Sequence, residues 1–303
     1  MLTESTPEIA NGDPSPTEGL PEEFLALQKA FRTPILMTVA NDPVDEAFFY
    51  GVAEELGGRI FPRLAWLLVT YGGSAAAGFK MAKLVRGQAK ELTTLIPAQA
   101  ASAGTVMAMA ADSIVFGRTG ALSAIDVQLD HSSQDGVVGL ESSLELRDAL
   151  QELKELSMDL LKMSLKQVHA LTDLDQPAAL HAATGLVGAV LAPMTGRIDF
   201  ESLGGRRRAR NLGYAYGDEV LTATGYLDED QRAQILNELC FGLPTHGFPV
   251  LCDHAASLGL NASLATGDLA VALDDLARLN SYDGMFIKLL DYPSNPSKPE
   301  KDS

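Results

Sequence analysis

Two short stretches of the sequence carry the residue types that acyl chemistry needs. The first reads Tyr71-Gly72-Gly73-Ser74 and the second Ala100-Ala101-Ser102-Ala103-Gly104. A glycine pair lets the backbone turn sharply and aim amide N–H groups at a ligand. A helix start leaves N–H groups unpaired and favours negative charge. Ser102 stands at such a start. Its hydroxyl could attack a carbonyl carbon while the Gly73 and Ala103 N–H groups hold the oxyanion that forms. Losing one such donor typically costs about 10²–10³ in rate. The competing reading is local: serine is among the best N-caps, and Ser102 could simply cap its helix.

The elements that must position these residues follow from the surrounding pattern. Residues 64–70, 93–98 and 113–116 are short apolar runs of strand length and composition. Helical patterns at 75–89 and 103–112 separate them. Strand, helix, strand, helix, strand predicts parallel strands joined by right-handed crossovers, an α/β class. Both junctions then lie just past the carboxyl end of a strand, where open α/β folds place their sites. Upstream, 33–40 reads as a first strand. Asn41-Asp42-Pro43 predicts a helix start with Asp42 as cap and Pro43 at the first helical position, and a helix over 44–56. Downstream, 130–139 reads as a polar loop and 141–171 as a long helix with a leucine stripe at Leu146, Leu150 and Leu153. Residues 177–191 predict an apolar helix too short and mixed for a membrane span, read instead as a core or subunit-contact helix. Further helices are expected at 218–221, 228–239, 254–258 (capped by Asp253) and 268–279.

The residues around the two junctions resemble a known family. Thr70-Tyr71-Gly72-Gly73, Pro97-Ala98-Gln99-Ala100-Ala101-Ser102-Ala103-Gly104-Thr105, Ala110-Ala111-Asp112-Ser113-Ile114 and Asp126-Val127-Gln128-Leu129 look like the serine dehydrogenase proteinase family. That is a soluble branch related to signal peptide peptidase A, within the Clp-protease/crotonase fold. Pro244-Thr245-His246-Gly247-Phe248-Pro249-Val250 is similar to a later segment of that family. Tyr71 and Val127 stand where the family usually has proline, and Gly247 where it has aspartate. The resemblance spans about residues 33–292. It implies a Clp/crotonase-like stack of βαβ units with a helical C-terminal annex. It also implies a serine peptidase with Ser102 as nucleophile, Gly73 and Ala103 as oxyanion donors, and assembly into a homo-oligomer; no cofactor or metal is expected.

The general base stays open. Membrane-bound relatives use a lysine about fifty residues after the serine, which points to Lys154 on the long helix, with Lys162 and Lys166 further along. A lysine serves as base only if burial or nearby positive charge pulls its pKa down. Against this, Glu152, Glu155 and Asp159 at helical spacing suit three plain surface ion pairs. Clp-type relatives use a histidine, for which His131 is the candidate. Ala100–Gly104 also resembles a degraded G-x-S-x-G elbow, which would call on partners such as Asp218 and His246. Cys240, His246, Cys252 and His254 match no common zinc spacing and read as packing and capping residues. Arg206-Arg207-Arg208-Ala209-Arg210 reads as a solvated loop or a contact to an acidic neighbour.

Composition bounds the rest. The chain has 303 residues, 46% of them hydrophobic, enough for a sizeable core. Forty acidic against 23 basic residues give a net charge of −17, which disfavours nucleic acid and anionic membranes as partners. Two cysteines in this length suit a reducing compartment, and the N-terminus lacks a signal-peptide pattern, so a cytoplasmic protein is expected. Residues 1–29 and 293–303 are expected to be disordered tails around a single domain, 30–292. Peptides or unfolded protein segments are the expected substrate. A catalytically silent scaffold and a crotonase-type acyl-CoA enzyme are the rival readings.

Overall fold

The computed structural model describes residues 27, 33–125, 129–132, 138–141, 143–195, 200–281 and 284–291; at 129–132, 138–141, 143–149, 200–207 and 210 it describes the backbone alone. In chain order the elements are β1 (Ile35–Ala40), α1 (Glu46–Leu56), β2 (Phe61–Thr70), α2 (Ala75–Gln88), β3 (Ala89–Ile96), β4 (Gln99–Ala100), α3 (Ala103–Ala108), β5 (Ser113–Phe116), β6 (Ala121–Leu122), β7 (Leu129–Ser132), β8 (Val138–Glu141), α4 (Ser143–Leu171), α5 (Gln176–Thr195), α6 (Phe200–Thr222), α7 (Glu229–Asn237), α8 (Cys252–Ser257), β9 (Ala262–Leu264), α9 (Gly267–Leu276) and β10 (Met285–Leu290). A π-helical turn, Glu238–Gly242, follows α7, and a 3-10 turn, Ala277–Ser281, follows α9.

The chain divides into two compact units. The first takes in the described residues up to Ser123, Tyr216–Ile235, and those from Pro249 on; the second is Ala124–Ala215 with Leu236–Phe248.

The first unit is α/β. Its sheet runs β10-β1-β2-β3-β5-β9. β1, β2, β3, β5 and β9 are parallel to their neighbours, and β10 closes the β1 edge antiparallel. All six residues of β1 and the last seven of β2 are buried, so both sheet faces are covered, as parallel strands require. One core cluster gathers Ile35, Met37, Val39, Leu67, Val69 and Leu95 with Leu273 and Leu276 of α9. Leu27, inside the span expected to be a tail, is fully buried in that cluster; the rest of the expected tails lies outside the described residues. Trp66, also fully buried, satisfies its indole N–H by donating to Thr38 Oγ1 at 2.8 Å.

The second unit is mainly helical. β7 and β8 form an antiparallel hairpin where a loop was expected. α4 packs on α5 through Val168, Ala179 and Ala183, flanked by Leu161, Leu165 and Ala182. α5 is the one helix among the described residues long and apolar enough to cross a membrane by length and composition. Only 11% of its apolar window is buried, so it is a largely exposed helix rather than a core one. The arginine cluster expected in a loop lies on α6.

The start of α1 differs from the sequence expectation. Asp45, not Asp42, is the cap, and its carboxylate accepts the Phe48 N–H at 2.8 Å. The reason is tertiary. Val44 forms a parallel bridge with Gly73, donating its N–H to the Gly72 carbonyl at 2.8 Å and accepting the Ser74 N–H at 2.7 Å. A residue engaged in that bridge cannot also begin a helix, so α1 starts two residues later than expected.

Candidate active site

Thr70, the last residue of β2, ties the two junctions together. Its hydroxyl oxygen accepts the Gly72 N–H at 3.0 Å, and its carbonyl accepts the Ala101 N–H at 2.9 Å. β4 pairs with β2 at this point, Thr70 opposite Ala100, so Ala100-Ala101-Ser102 leaves the sheet beside Gly72-Gly73. The approach is close. A methyl group on Gly72 would stand 2.8 Å from Ser102 Cβ, 2.9 Å from the Ala101 carbonyl oxygen and 3.3 Å from the Ala103 nitrogen. Gly72 also has φ 101°, which side-chain-bearing residues rarely adopt. At Gly73, with φ 145°, a methyl would run into the Val44 backbone.

Ser102 has φ 53° and ψ −111°, and among the described residues it is the one non-glycine with positive φ. Its side chain makes no capping hydrogen bond to α3. The capping reading therefore does not describe this residue. Its carbonyl accepts the Thr105 N–H at 3.0 Å, and its own N–H donates to Ser123 Oγ at 2.9 Å.

The N–H groups at the junctions can be accounted for one by one. Gly72 donates to Thr70, Ser74 to Val44, Ala101 to Thr70, Ser102 to Ser123 and Gly104 to the Ala101 carbonyl. The Gly73 and Ala103 N–H groups have no acceptor among the described residues. In the parallel bridge to Val44, the bonds run through the Gly72 carbonyl and the Ser74 N–H, which turns the Gly73 N–H to the other side of the chain. N–H donors left without an acceptor, one on the residue after Ser102 and one on the residue after Gly72, are of the kind that can stabilise an oxyanion developing at a carbonyl.

Ser123, Thr105 and Thr70 complete the surroundings and were not singled out by the sequence reading. The Thr105 hydroxyl, fully buried, accepts the Ser123 N–H at 3.1 Å; its proton faces the Ser123 carbonyl at 2.9 Å and the Ala100 carbonyl at 3.1 Å. The readable signal was a hydroxyl inside an apolar run, as at Leu122-Ser123-Ala124, because a buried hydroxyl must find partners.

Of the expected site residues, Gly73, Ser102 and Ala103 lie in the first unit, where Gly72, next to Gly73, approaches Ser102 and Ala103. Lys154, Lys162 and Lys166 stand on α4 of the second unit, all exposed, with Lys162 Nζ 3.2 Å from Asp159. His131 is in β7, and its side chain lies outside the described ones, as do residues 126–128. Asp218 is engaged by Arg232 Nε at 2.8 Å, and His246 belongs to the second unit, so the alternative elbow triad is not gathered around Ser102 within one unit. Cys240 and His246 fall in the second unit, Cys252 and His254 in the first. No protein-family model matches the chain, and no curated protein matches it.

Proposed function

We propose that the chain is a cytoplasmic serine peptidase of Clp/crotonase-like fold, with Ser102 as nucleophile and the Gly73 and Ala103 N–H groups as its oxyanion hole. The observation that carries this reading is the backbone of Ser102. A non-glycine residue held at positive φ persists only where its surroundings fix it, and such residues cluster at active sites. A serine that merely capped α3 would have no need of that conformation.

The chemistry would run in two halves. Ser102 Oγ attacks the peptide carbonyl carbon and passes its proton to a base. The tetrahedral oxyanion is held by the two N–H groups, then collapses to an acyl-serine as the base protonates the departing amine. Water, deprotonated by the same base, attacks the acyl group and restores Ser102. Lys154 is the proposed base, with Lys162, Lys166 and His131 as alternatives. Lys154 is exposed in the single chain, and a lysine serves as base only where its surroundings desolvate it. Burial in a homo-oligomer would supply that, and the reading therefore couples activity to assembly.

Exposure of all three lysines favours a second reading, a catalytically silent scaffold of the same fold. One experiment separates the two. The assembled protein, sized by light scattering, is treated with a fluorophosphonate probe, and the adduct is located by mass spectrometry. The peptidase reading expects an adduct on Ser102, its loss in Ser102→Ala, and its loss in Lys154→Ala but not in His131→Ala. An unlabelled oligomer in which Ser102→Ala alters stability alone would leave the scaffold reading standing.

A further inference from the structure

Ser102 is held in its unusual conformation from both ends. On the carbonyl side, the first turn of α3 fixes it through the Thr105 and Val106 N–H groups, at 3.0 and 3.4 Å. On the amide side, the hold is a single side chain, Ser123 Oγ, which accepts the Ser102 N–H at 2.9 Å across 21 residues of sequence. Ser123 is itself 1% exposed and tightly fixed. It follows β6, which pairs with β4 immediately before Ser102, Ala100 lying opposite Leu122. Its N–H and carbonyl both meet the Thr105 hydroxyl. Ser102, Ser123 and Thr105 thus close a ring of hydrogen bonds that links the residue at the start of α3, the first turn of that helix and the end of β6.

We propose that Ser123 is a positioning residue that fixes the peptide plane of Ser102 and so the direction in which its hydroxyl points. The inference rests on the hydrolase reading above. Two consequences follow from the geometry. With its N–H committed to Ser123, Ser102 is not a third oxyanion donor, which leaves Gly73 and Ala103 as the donors. Without the Ser123 hydroxyl, the Ser102 N–H would lose that acceptor, and the hold on a positive φ that side chains rarely adopt would weaken, letting Oγ shift from its present place.

The test is the rate at which a fluorophosphonate modifies Ser102 in the full-length assembled protein, resolved into a half-saturating concentration and a maximal rate. Thermal melting of each variant is recorded alongside. Ser123→Ala is expected to slow the maximal rate about ten- to a hundredfold, the size of effect a misplaced reacting group produces. The half-saturating concentration should change little. Ser123→Cys, close in volume but a poor acceptor, guards against an alanine variant that does not fold and is expected to be slowed in the same sense. Normal maximal rates in folded Ser123→Ala or Ser123→Cys, with only the melting temperature lowered, would overturn the proposal while leaving the hydrolase reading intact. Failure of the wild-type protein to react would overturn both.

Discussion

At the scale of single residues, the junction tolerates very little. Gly72 combines a positive φ with contacts that leave no room for a methyl. An alanine there faces about 1–2 kcal/mol of backbone strain and pushes directly on Ser102 Cβ and Ala101. Gly72→Ala is expected to lose more than about 2 kcal/mol in urea unfolding and to abolish probe labelling of whatever protein folds. Gly87 is the control. It lies in α2 with an ordinary φ, and a methyl added there would have nothing within 4 Å. Gly87→Ala should therefore stabilise by about 0.5–1 kcal/mol and leave labelling unchanged. Much of this was legible: the glycine pair and Ser102 stand out in the sequence by type and place. The Ser123 contact was not, because a backbone N–H meeting a hydroxyl 21 residues away leaves no periodic trace.

At the scale of elements, local signals located strands well and helix starts less well. The runs at 64–70 and 113–116 are strands, paired in the parallel sense expected of βαβ units. The error at α1 is informative. Asp42 followed by Pro43 is a good local start, yet the Val44 bridge to Gly73 overrides it and moves the cap to Asp45. Asp45→Ala is thus expected to cost about 1 kcal/mol, and Asp42→Ala, at an exposed site, less than about 0.5 kcal/mol. Urea midpoints of the two variants check this, and a larger loss in Asp42→Ala would contradict the observed cap. The hairpin of β7 and β8 and the edge strand β10 were missed for a related reason. Both are antiparallel pairs whose partners are fixed by the fold rather than by their own short, mixed sequences.

At the scale of the whole molecule, composition foretold an acidic chain with a large core but not its division into two units. The units differ in how they are held. The first has a sheet with strands buried on both faces, whereas the α4–α5 pair of the second buries Val168, Ala179 and Ala183 and exposes Leu171, Leu186 and Val190. The second should therefore give way at lower denaturant. The buried indole described above makes that measurable. Tryptophan occurs once in the sequence, at position 66, so its emission is a private reporter on the first unit. Ellipticity adds the long helices α4 and α5 of the second unit to the shorter helices of the first, so the part of it lost ahead of the emission change reports on the second. Urea titrations followed both ways are expected to separate, with helical signal falling before the emission reddens. Superimposed curves would mean that the two units unfold as one. A chain with a second tryptophan in α4 could not be read this way; here a single aromatic side chain turns an ordinary fluorimeter into a domain-resolved thermometer.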